Sequence, residues 1–253
     1  MNLPLDQVTA VVLAGGFGTR IKHLLRDLPK PMAPVAGRPF VEWVVRYLAR
    51  QGITRAILST GHLADTIASH FAPQPVPGIH VTCAQENAPL GTAGGFLNAT
   101  RSAAETPPAW LVLNGDSLAF FDLAALAARL SQPEHIAAIA GLEVPDASRY
   151  GTLASNHQGH LTAFLEKRPG RGVINAGIYL LRHQALACFP AKTPLSFETD
   201  VFPWFLTRKF PVATHIARAP FLDIGTPESL PLAEEFIRAN FAEFIAPEPP
   251  EPK

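Results

Sequence analysis

The feature that most restricts the fold is the short apolar run Val8–Ala14, which is closed by the glycine pair Gly15 and Gly16. A run of this kind, rich in β-branched residues, is typical of a strand buried on both faces. Strands of that type occur in parallel sheets that helices cover on both sides. The sequence therefore predicts an α/β protein with this strand near the middle of its sheet.

The next segments alternate between the periods of helix and strand. Apolar residues at spacing i, i+3, i+4 and i+7 predict an amphipathic helix that ends near Gly52: Val41, Val44, Val45 and Leu48. Glu42, Arg46 and Arg50 lie on the opposite face of that helix. The runs "RAILST", "IHVTC" and "WLVLNGD" then predict strands, and "LADTIASHF" and the segment after Gly94 predict helices. Such alternation indicates βαβ units with helices on both faces of the sheet.

The second half of the chain shows a different pattern. Two short runs flank Gln158 and Gly159, which predicts a hairpin, and "VINAGIYLL" predicts one more strand. We therefore expect a single Rossmann-like domain over residues 1–245, with a mostly parallel but mixed sheet. The tail 246–253, "APEPPEPK", carries proline and charge with little to bury, and is predicted to be disordered.

The charge balance argues against polyanionic partners. Lys and Arg together number 21, as do Asp and Glu, so the formal net charge is zero. This gives no general reason to expect nucleic acid or a membrane as a partner. The apolar run near the N-terminus is too short for a membrane span or a secretion signal, so we expect a cytoplasmic protein. The oligomeric state is left open.

A glycine-rich loop follows the first strand. It reads G-G-F-G-T-R from Gly15 to Arg20, with P-K-P further on around Lys30. Glycines at a strand end let the backbone approach a phosphate, and two cations nearby favour an anionic ligand. A dinucleotide-binding fingerprint fails because Ile21 stands where its third glycine belongs, and a P-loop fails because G-K-[ST] is missing. The alternative is a tight strand-to-helix turn with solvated cations.

Two aspartates follow predicted strands. Asp116 ends "NGD" and Asp223 lies in "FLDIGTPES". If both lie at the carboxyl edge of the sheet, where ligand sites of α/β proteins form, they can hold Mg²⁺ together with substrate phosphates. The alternative is that each is a turn residue beside glycine or proline. The histidines show no H-E-x-x-H spacing, so zinc is not indicated.

The spelling G-G-x-G-T-R followed by P-K-P resembles the sugar-1-phosphate nucleotidylyltransferases, and further matches run through most of the chain. The resemblance implies the fold of nucleotide-diphospho-sugar transferases and a loop that wraps the triphosphate. Arg20 would hold the leaving pyrophosphate, Lys30 would neutralise charge near the α-phosphate, and Asp116 and Asp223 would bind Mg²⁺. The implied nucleotide-binding residues are Leu13, Ala14, Gly15, Gly16, Gly18, Thr19, Glu86, Gly91, Thr92 and Asn114.

The stretch "QENAPLGTAGG", which begins at Gln85, resembles the base-binding loop of this family. Gly91 and Thr92 would pass along the edge of the base. Glu86 could accept hydrogen bonds from guanine, whereas Gln85 could equally pair with a pyrimidine. A purely structural interpretation makes the final glycine pair a turn and leaves Glu86 as an exposed charge at a strand end.

Three short motifs occur in the order that the family uses around its sugar phosphate: "RYGTL", "EKR" and "NAG". Lys167 would bind the phosphate of the sugar, while Glu166, Asn175 and the backbone at Gly151 would bind sugar hydroxyls. The family commonly has proline after E-K, where this chain has Arg168. That departure puts the local turn in doubt and leaves the lysine in place.

The segment "SFETDVFP" also looks like a part of these enzymes. A helix capped by Ser196 explains it without a ligand, so no catalytic role is assigned to it.

The resemblance implies in-line attack of a sugar 1-phosphate on the α-phosphorus of a nucleoside triphosphate. The spelling and the short length are most similar to the bacterial D-glycero-D-manno-heptose 1-phosphate guanylyltransferases, which implies GTP, GDP-heptose and a role in cell-surface polysaccharide. Mannose-1-phosphate guanylyltransferases and short uridylyl- or thymidylyltransferases are alternatives. A non-catalytic nucleotide-sugar-binding regulator and an NAD-dependent oxidoreductase are alternatives from other classes; the missing third glycine disfavours the oxidoreductase.

Overall fold

The computed structural model describes residues 3–16, 18–25, 27–165 and 167–245. The prediction for Glu166 and that for the tail 246–253 lie outside these residues. The described strands are β1 (Thr9–Ala14), β2 (Pro34–Val35), β3 (Arg38–Pro39), β4 (Arg55–Thr60), β5 (His80–Gln85), β6 (Ala109–Asn114), β7 (Ser117–Ala119), β8 (Ala137–Val144), β9 (Thr152–Ser155), β10 (Leu161–Leu165), β11 (Gly172–Arg182), β12 (Val212–Ala217) and β13 (Phe221–Asp223). The α-helices are α1 (Lys22–Leu25), α2 (Phe40–Arg50), α3 (Ala64–Phe71), α4 (Thr92–Arg101), α5 (Leu123–Ala128), α6 (Phe202–Thr207) and α7 (Ala233–Ala239).

The main sheet has nine of the described strands. Its central path runs β10-β9-β11-β6-β1-β4-β5, and β8 pairs with both β11 and β12. The strands of the first half, β6, β1, β4 and β5, are parallel to one another. From β11 onwards antiparallel pairs enter, and β8 and β12 form one further parallel pair. The predicted mixed sheet is therefore present, with β1 near its centre.

Strand β1 is buried from both sides, as its sequence predicts. Ala10, Val12 and Ala14 pack in one apolar cluster with α2, α3 and α7. Val11 packs in a second cluster, together with Phe96 of α4 and residues of α6. Because side chains alternate along a strand, these clusters lie on opposite faces of the sheet. This arrangement explains why the run lacks the polar alternation of a half-exposed strand.

Helix α2 has the predicted apolar face, but its polar face is not fully exposed. The side chain of Glu42 is only 2% exposed and accepts hydrogen bonds from Arg38 and Arg46 at 2.7 and 2.9 Å. His70 of α3 lies 2.8 Å from its other oxygen. Burial alone would raise the pKa of Glu42, but the hydrogen bonds from Arg46, His70 and Arg38 outweigh burial and hold the pKa below its ordinary value. The cluster therefore ties α2 to α3 through a buried charge.

Two features of the second half shape the edge of the sheet near the site. The predicted hairpin joins β9 and β10, with Gly159 at a φ of 77° in its turn. Strand β11 carries a bulge between Asn175 and Tyr179, where Gly177 has a φ of 69°. A methyl group at Gly177 would collide with the side-chain amide of Asn114 at the end of β6. The bulge thus lets β11 pass closely over the carboxyl end of β6.

Among the described residues, no helix combines the length and apolar character needed to cross a membrane.

Candidate active site

A cleft of about 560 Å³ opens at the carboxyl ends of β1 and β6. Most of the residues predicted from the sequence line it: Leu13, Ala14, Gly15, Gly16, Gly18, Thr19, Arg20, Lys30, Glu86, Gly91, Thr92, Asn114 and Asp116. Five lining residues were not predicted: Pro31, Pro89, Leu90, Glu198 and Gly225. The cleft lies where ligand sites form in open α/β sheets.

The glycines after β1 keep the backbone accessible and allow close packing. A methyl group at Gly16 would meet no atom within 4 Å, so this part of the loop borders open space. At Gly15 a methyl group would lie 2.9 Å from Oε1 of Glu86, and at Gly18, whose φ is 56°, it would lie 2.8 Å from Cβ of Lys30. The loop also turns the chain, because Ile21 N donates to Gly18 O at 3.1 Å. Both the turn and the phosphate interpretation therefore fit its geometry.

Lys30 is not a solvated loop cation. It begins a turn of 3-10 helix over Lys30–Met32, and its side chain is 12% exposed. Its Nζ donates to Oδ2 of Asp116 at 2.6 Å and lies 3.8 Å from Oδ1 of Asp223. A methyl group at Gly225 would lie 2.9 Å from the same nitrogen. The ammonium therefore lies close to two carboxylates, of which Asp116 lines the cleft and Asp223 does not, whereas Arg20 is exposed.

The two aspartates come together through a small separate sheet. Asp223 ends β13, which pairs antiparallel with β7 next to Asp116, and Ile224 N donates to Asp116 O at 3.0 Å. The prediction placed both aspartates at the edge of the main sheet. For Asp223 this is wrong, because among the described strands β13 pairs with β7 alone, in a separate sheet. Its side chain nevertheless reaches the expected place, since Oδ1 lies 3.8 Å from the ammonium that Asp116 binds.

The environment of Asp223 disfavours its charged form. Burial and then the neighbouring charge of Asp116 raise the pKa of Asp223, and Lys30 and a hydrogen bond from Gly225 N at 2.6 Å oppose them only in part. No group of three or more His, Cys, Asp or Glu side chains suited to a metal occurs among the described residues. The aspartate pair is nevertheless a suitable donor set for Mg²⁺, which binds through one or two carboxylates and completes its shell with phosphate oxygens and water.

Glu86, predicted to contact the base, lines the cleft. Its Oε1 accepts from Ser59 Oγ at 2.9 Å, and its Oε2 accepts from Leu90 N at 3.3 Å. Gln85 is exposed and does not line the cleft. Of the two side chains considered for the base, Glu86 is therefore the one beside the cleft.

The glycines of the base loop serve packing in two ways. Gly91 has a φ of 79°, and a methyl group there would collide with the carbonyl oxygen of Leu195. The structural interpretation of Gly94 and Gly95 as a turn is wrong, because both lie within α4. A methyl group at Gly95 would collide with Oε1 of Glu86, so helix and carboxylate pack without space between them.

Of the residues predicted for the sugar phosphate, Gly151, Lys167 and Asn175 are described, and they do not line the cleft. Gly151 and Asn175 are neighbours, since Asn175 N donates to Gly151 O at 3.0 Å. The amide of Asn175 donates to the hydroxyl of Tyr179 at 2.7 Å. Lys167 is exposed at the end of β10. The structure thus brings Gly151 and Asn175 together at the β9 and β11 strands and leaves Lys167 in solvent.

Sequence reasoning missed Glu198. The capping prediction for its segment is confirmed, because Ser196 Oγ accepts from the backbone N–H groups of Glu198 and Thr199. The side chain of Glu198 nevertheless lines the cleft and accepts a hydrogen bond from Thr92. The only sequence signal for Glu198 is the motif "SFETDVFP" itself. No local periodicity shows that this turn packs against the loop at Gly91.

The chain is similar to known proteins both in sequence and in structure. The nucleotidyl transferase family model matches residues 9–240. The chain is 33% identical to D-glycero-alpha-D-manno-heptose 1-phosphate guanylyltransferase from Aneurinibacillus thermoaerophilus, covering 89% of this chain and 96% of that protein. It is 34% identical to the Campylobacter jejuni protein of the same name, covering 87% and 95%. The crystal structure of HddC from Yersinia pseudotuberculosis complexed with GMP-PN superimposes with a TM-score of 0.78 at 35% identity, covering 90% and 98%, which confirms the predicted fold class.

Proposed function

This chain belongs to the nucleotidyl transferase family, and on that basis we propose that it joins a nucleoside triphosphate to a sugar 1-phosphate, forming a nucleotide sugar and pyrophosphate. The substrates that we propose are GTP and D-glycero-D-manno-heptose 1-phosphate. Their support is the identity of about one third to two heptose 1-phosphate guanylyltransferases over most of both chains. Mannose 1-phosphate is the alternative sugar substrate.

The observation that carries the proposal is the position of Lys30. Its ammonium lies between Asp116 and Asp223 in the same cleft as the exposed glycine loop. An uncharged ligand would not require a nearly buried cation and two carboxylates beside a glycine loop. Phosphoryl transfer needs this combination, because its catalysis is largely positioning and charge neutralisation.

The reaction needs no general base. An oxygen of the sugar phosphate is already an anion; it attacks the α-phosphorus, the bond to the bridging oxygen breaks, and pyrophosphate leaves with that electron pair. The backbone of Gly15, Gly16 and Gly18 would hold the phosphates, and Arg20 would bind the departing pyrophosphate. Lys30 would offset the charge that accumulates at the α-phosphate.

Asp116 and Asp223 would hold Mg²⁺, and Asn114 would line the same wall. When bound, the ion would neutralise phosphate charge as a Lewis acid. Support comes from Asp223, whose pKa is raised by burial and by Asp116, because a divalent cation would relieve both effects. Lys30 would then exchange its carboxylate partners for phosphate.

Base and sugar would bind on opposite sides of the reacting phosphates. Glu86 would accept from the N1–H and N2–H₂ groups of guanine, with Gly91 and Thr92 along the base edge. On the other side Lys167 would bind the sugar phosphate, and Glu166, Asn175 and the backbone of Gly151 would bind hydroxyls. We also propose that the enzyme works in the cytoplasm, where nucleoside triphosphates are abundant, and supplies a nucleotide sugar for cell-surface polysaccharide.

The test is pyrophosphate release with Mg²⁺ across a grid of GTP, ATP, UTP and dTTP against heptose 1-phosphate, mannose 1-phosphate and glucose 1-phosphate. We expect the highest kcat/KM for GTP with heptose 1-phosphate. A preference for mannose 1-phosphate would reassign the sugar and keep the reaction. Release from no pair, combined with tight binding of a nucleotide sugar by calorimetry, would show a non-catalytic binding protein instead.

A further inference from the structure

Among the described residues, the side-chain groups that donate to the carboxylate of Glu198 are all hydroxyls. Oε1 accepts from the hydroxyl of Tyr179 at 2.9 Å, and Oε2 accepts from Thr92 Oγ1 at 2.9 Å and from Ser196 Oγ at 2.7 Å. In the described part of the chain, no lysine or arginine forms an ion pair with it. A carboxylate that faces a polyphosphate cleft without a cation is electrostatically unfavourable, so its position needs another reason.

On one side Glu198 fixes the start of α4. Thr92 Oγ1, which donates to Glu198, accepts from Phe197 N at 2.9 Å. The carbonyl of Leu195 accepts from Ala93 N and Gly94 N, both at 3.0 Å. The turn that carries Glu198 therefore holds the first residues of α4, directly after the loop proposed to bind the base.

On the other side Glu198 fixes the residues near the proposed sugar site. Tyr179 is fully buried, and burial and then the charge of Glu198 raise its pKa well above the ordinary value, so the phenol keeps its proton and donates it to Glu198. Its oxygen then accepts from Asn175 Nδ2 at 2.7 Å. Asn175 Oδ1 in turn accepts from Gly177 N at 3.0 Å. Each hydrogen bond in this series therefore has a fixed donor and a fixed acceptor.

We propose that Glu198 is a positioning residue that couples the two substrate sites, which rests on the function proposed above. One carboxylate oxygen orients Thr92 on the nucleotide side. The other oxygen orients Tyr179, and through it Asn175, on the sugar side. A hydrogen-bonded carboxylate suits this role, because it accepts from both sides at once and a neutral amide cannot.

The variants separate the two branches. Glu198→Gln replaces one acceptor oxygen by a donor group of the same shape. We therefore expect KM to rise about 10-fold for GTP or for the sugar 1-phosphate, and for both if the new amide side chain changes position. The change in kcat should be smaller. Thr92→Val should raise KM for GTP alone, and Tyr179→Phe should raise KM for the sugar 1-phosphate alone. Thr92→Ser keeps the hydroxyl and should raise KM for GTP less than Thr92→Val does. Glu134→Gln, at an exposed glutamate, is the control for loss of a surface charge.

Thermal unfolding of every variant shows whether the fold is kept. If Glu198→Gln does not fold, the pair Thr92→Val and Thr92→Ser decides, since the two differ in one hydroxyl. Wild-type KM values in Glu198→Gln, or equal KM values for Thr92→Val and Thr92→Ser, would overturn the proposal. If the wild-type enzyme releases no pyrophosphate, the proposed function fails by itself. GTP binding measured by calorimetry then tests Glu198: Thr92→Val must weaken GTP binding more than Thr92→Ser does.

Discussion

The ammonium nitrogen of Lys30 lies 2.6 Å from Oδ2 of Asp116, and their side chains come from positions 86 residues apart. The pair joins the P-K-P turn to the end of β6, and Asp223 adds a second carboxylate at 3.8 Å from the same nitrogen. In this state the protein's own cation occupies the space between the two carboxylates proposed to bind Mg²⁺.

Replacing Lys30 should abolish turnover and keep the fold. Lys30→Met retains the stem that packs beside Gly18 but loses the charge, so we expect kcat to fall on the order of 10²–10³-fold. Pyrophosphate release measures kcat, and circular dichroism checks the fold. Lys209→Met, at an exposed lysine, is the matched control. Near-wild-type kcat in Lys30→Met would remove Lys30 from the reaction.

The same variant should bind a divalent cation more tightly in the absence of nucleotide. Without the ammonium, Asp116 and Asp223 repel each other with no internal counter-charge, and a cation relieves that repulsion. Titration with Mn²⁺ followed by electron paramagnetic resonance measures the affinity. We expect Lys30→Met to bind more tightly and Asp223→Asn more weakly than the wild-type protein. The opposite order would show that the two carboxylates do not form the metal site.

Glu86 should determine the preference for guanine. In Glu86→Gln the side chain keeps its shape and can still accept from Ser59, but it presents one oxygen and one amino group to the base. We expect kcat/KM for GTP to fall about 10–100-fold, with smaller changes for UTP and dTTP. Gln85→Glu is the control, because Gln85 lies outside the cleft and its exchange should leave the nucleotide preference unchanged.

Two glycines of the site should respond differently to alanine. Gly91→Ala places a side chain in the left-handed region and against the backbone of Leu195, so we expect a loss of about 1–3 kcal/mol of stability. Gly16→Ala meets no atom within 4 Å, so the melting temperature should stay near the wild-type value. The added methyl group borders the cleft and should weaken GTP binding, measured by calorimetry. A stable Gly91→Ala protein would contradict the tight contact at Leu195.

The buried Glu42 should contribute stability that depends on pH. Its pKa is lowered in the folded state, so its contribution is complete above the ordinary pKa of glutamate and is lost as pH falls through the lower, folded value. We expect Glu42→Gln to cost about 1–3 kcal/mol near neutral pH, with the difference from wild type shrinking in acid. Urea denaturation at several pH values measures it. Glu234→Gln, in an exposed pair with Arg238, should cost less than about 1 kcal/mol.

The parts of the structure that were predictable from sequence are those encoded by local pattern. The run Val8–Ala14 indicates its burial directly, because the side chains of this strand pack into an apolar cluster on each face of the sheet. The glycine loop and Lys30 were predicted because glycine and lysine carry distinctive chemistry at fixed spacing. The hairpin at Gly159 followed from a turn residue with a positive φ.

The parts that escaped prediction depend on contacts between distant segments. Nothing near Glu198 in the sequence shows that Thr92, 106 residues away, donates to it. Asp223 comes near Lys30 through the small β7–β13 sheet, which forms by pairing of two three-residue strands too short to show a pattern in the sequence. The burial of Glu42 depends likewise on His70 from another helix.

The bulge in β11 marks the place where the residues proposed to bind the nucleotide meet those proposed to bind the sugar. Apart from Asp116 and Asp223, the residues proposed to bind base and phosphates precede the end of β6. The proposed sugar contacts come from later residues, and β11 meets β6 where Gly177 passes over Asn114. If the proposed sites are right, exchanges in this later segment should change the sugar preference and leave the nucleotide preference unchanged. Residues 145–182 are therefore the segment to exchange between relatives when a different sugar is wanted.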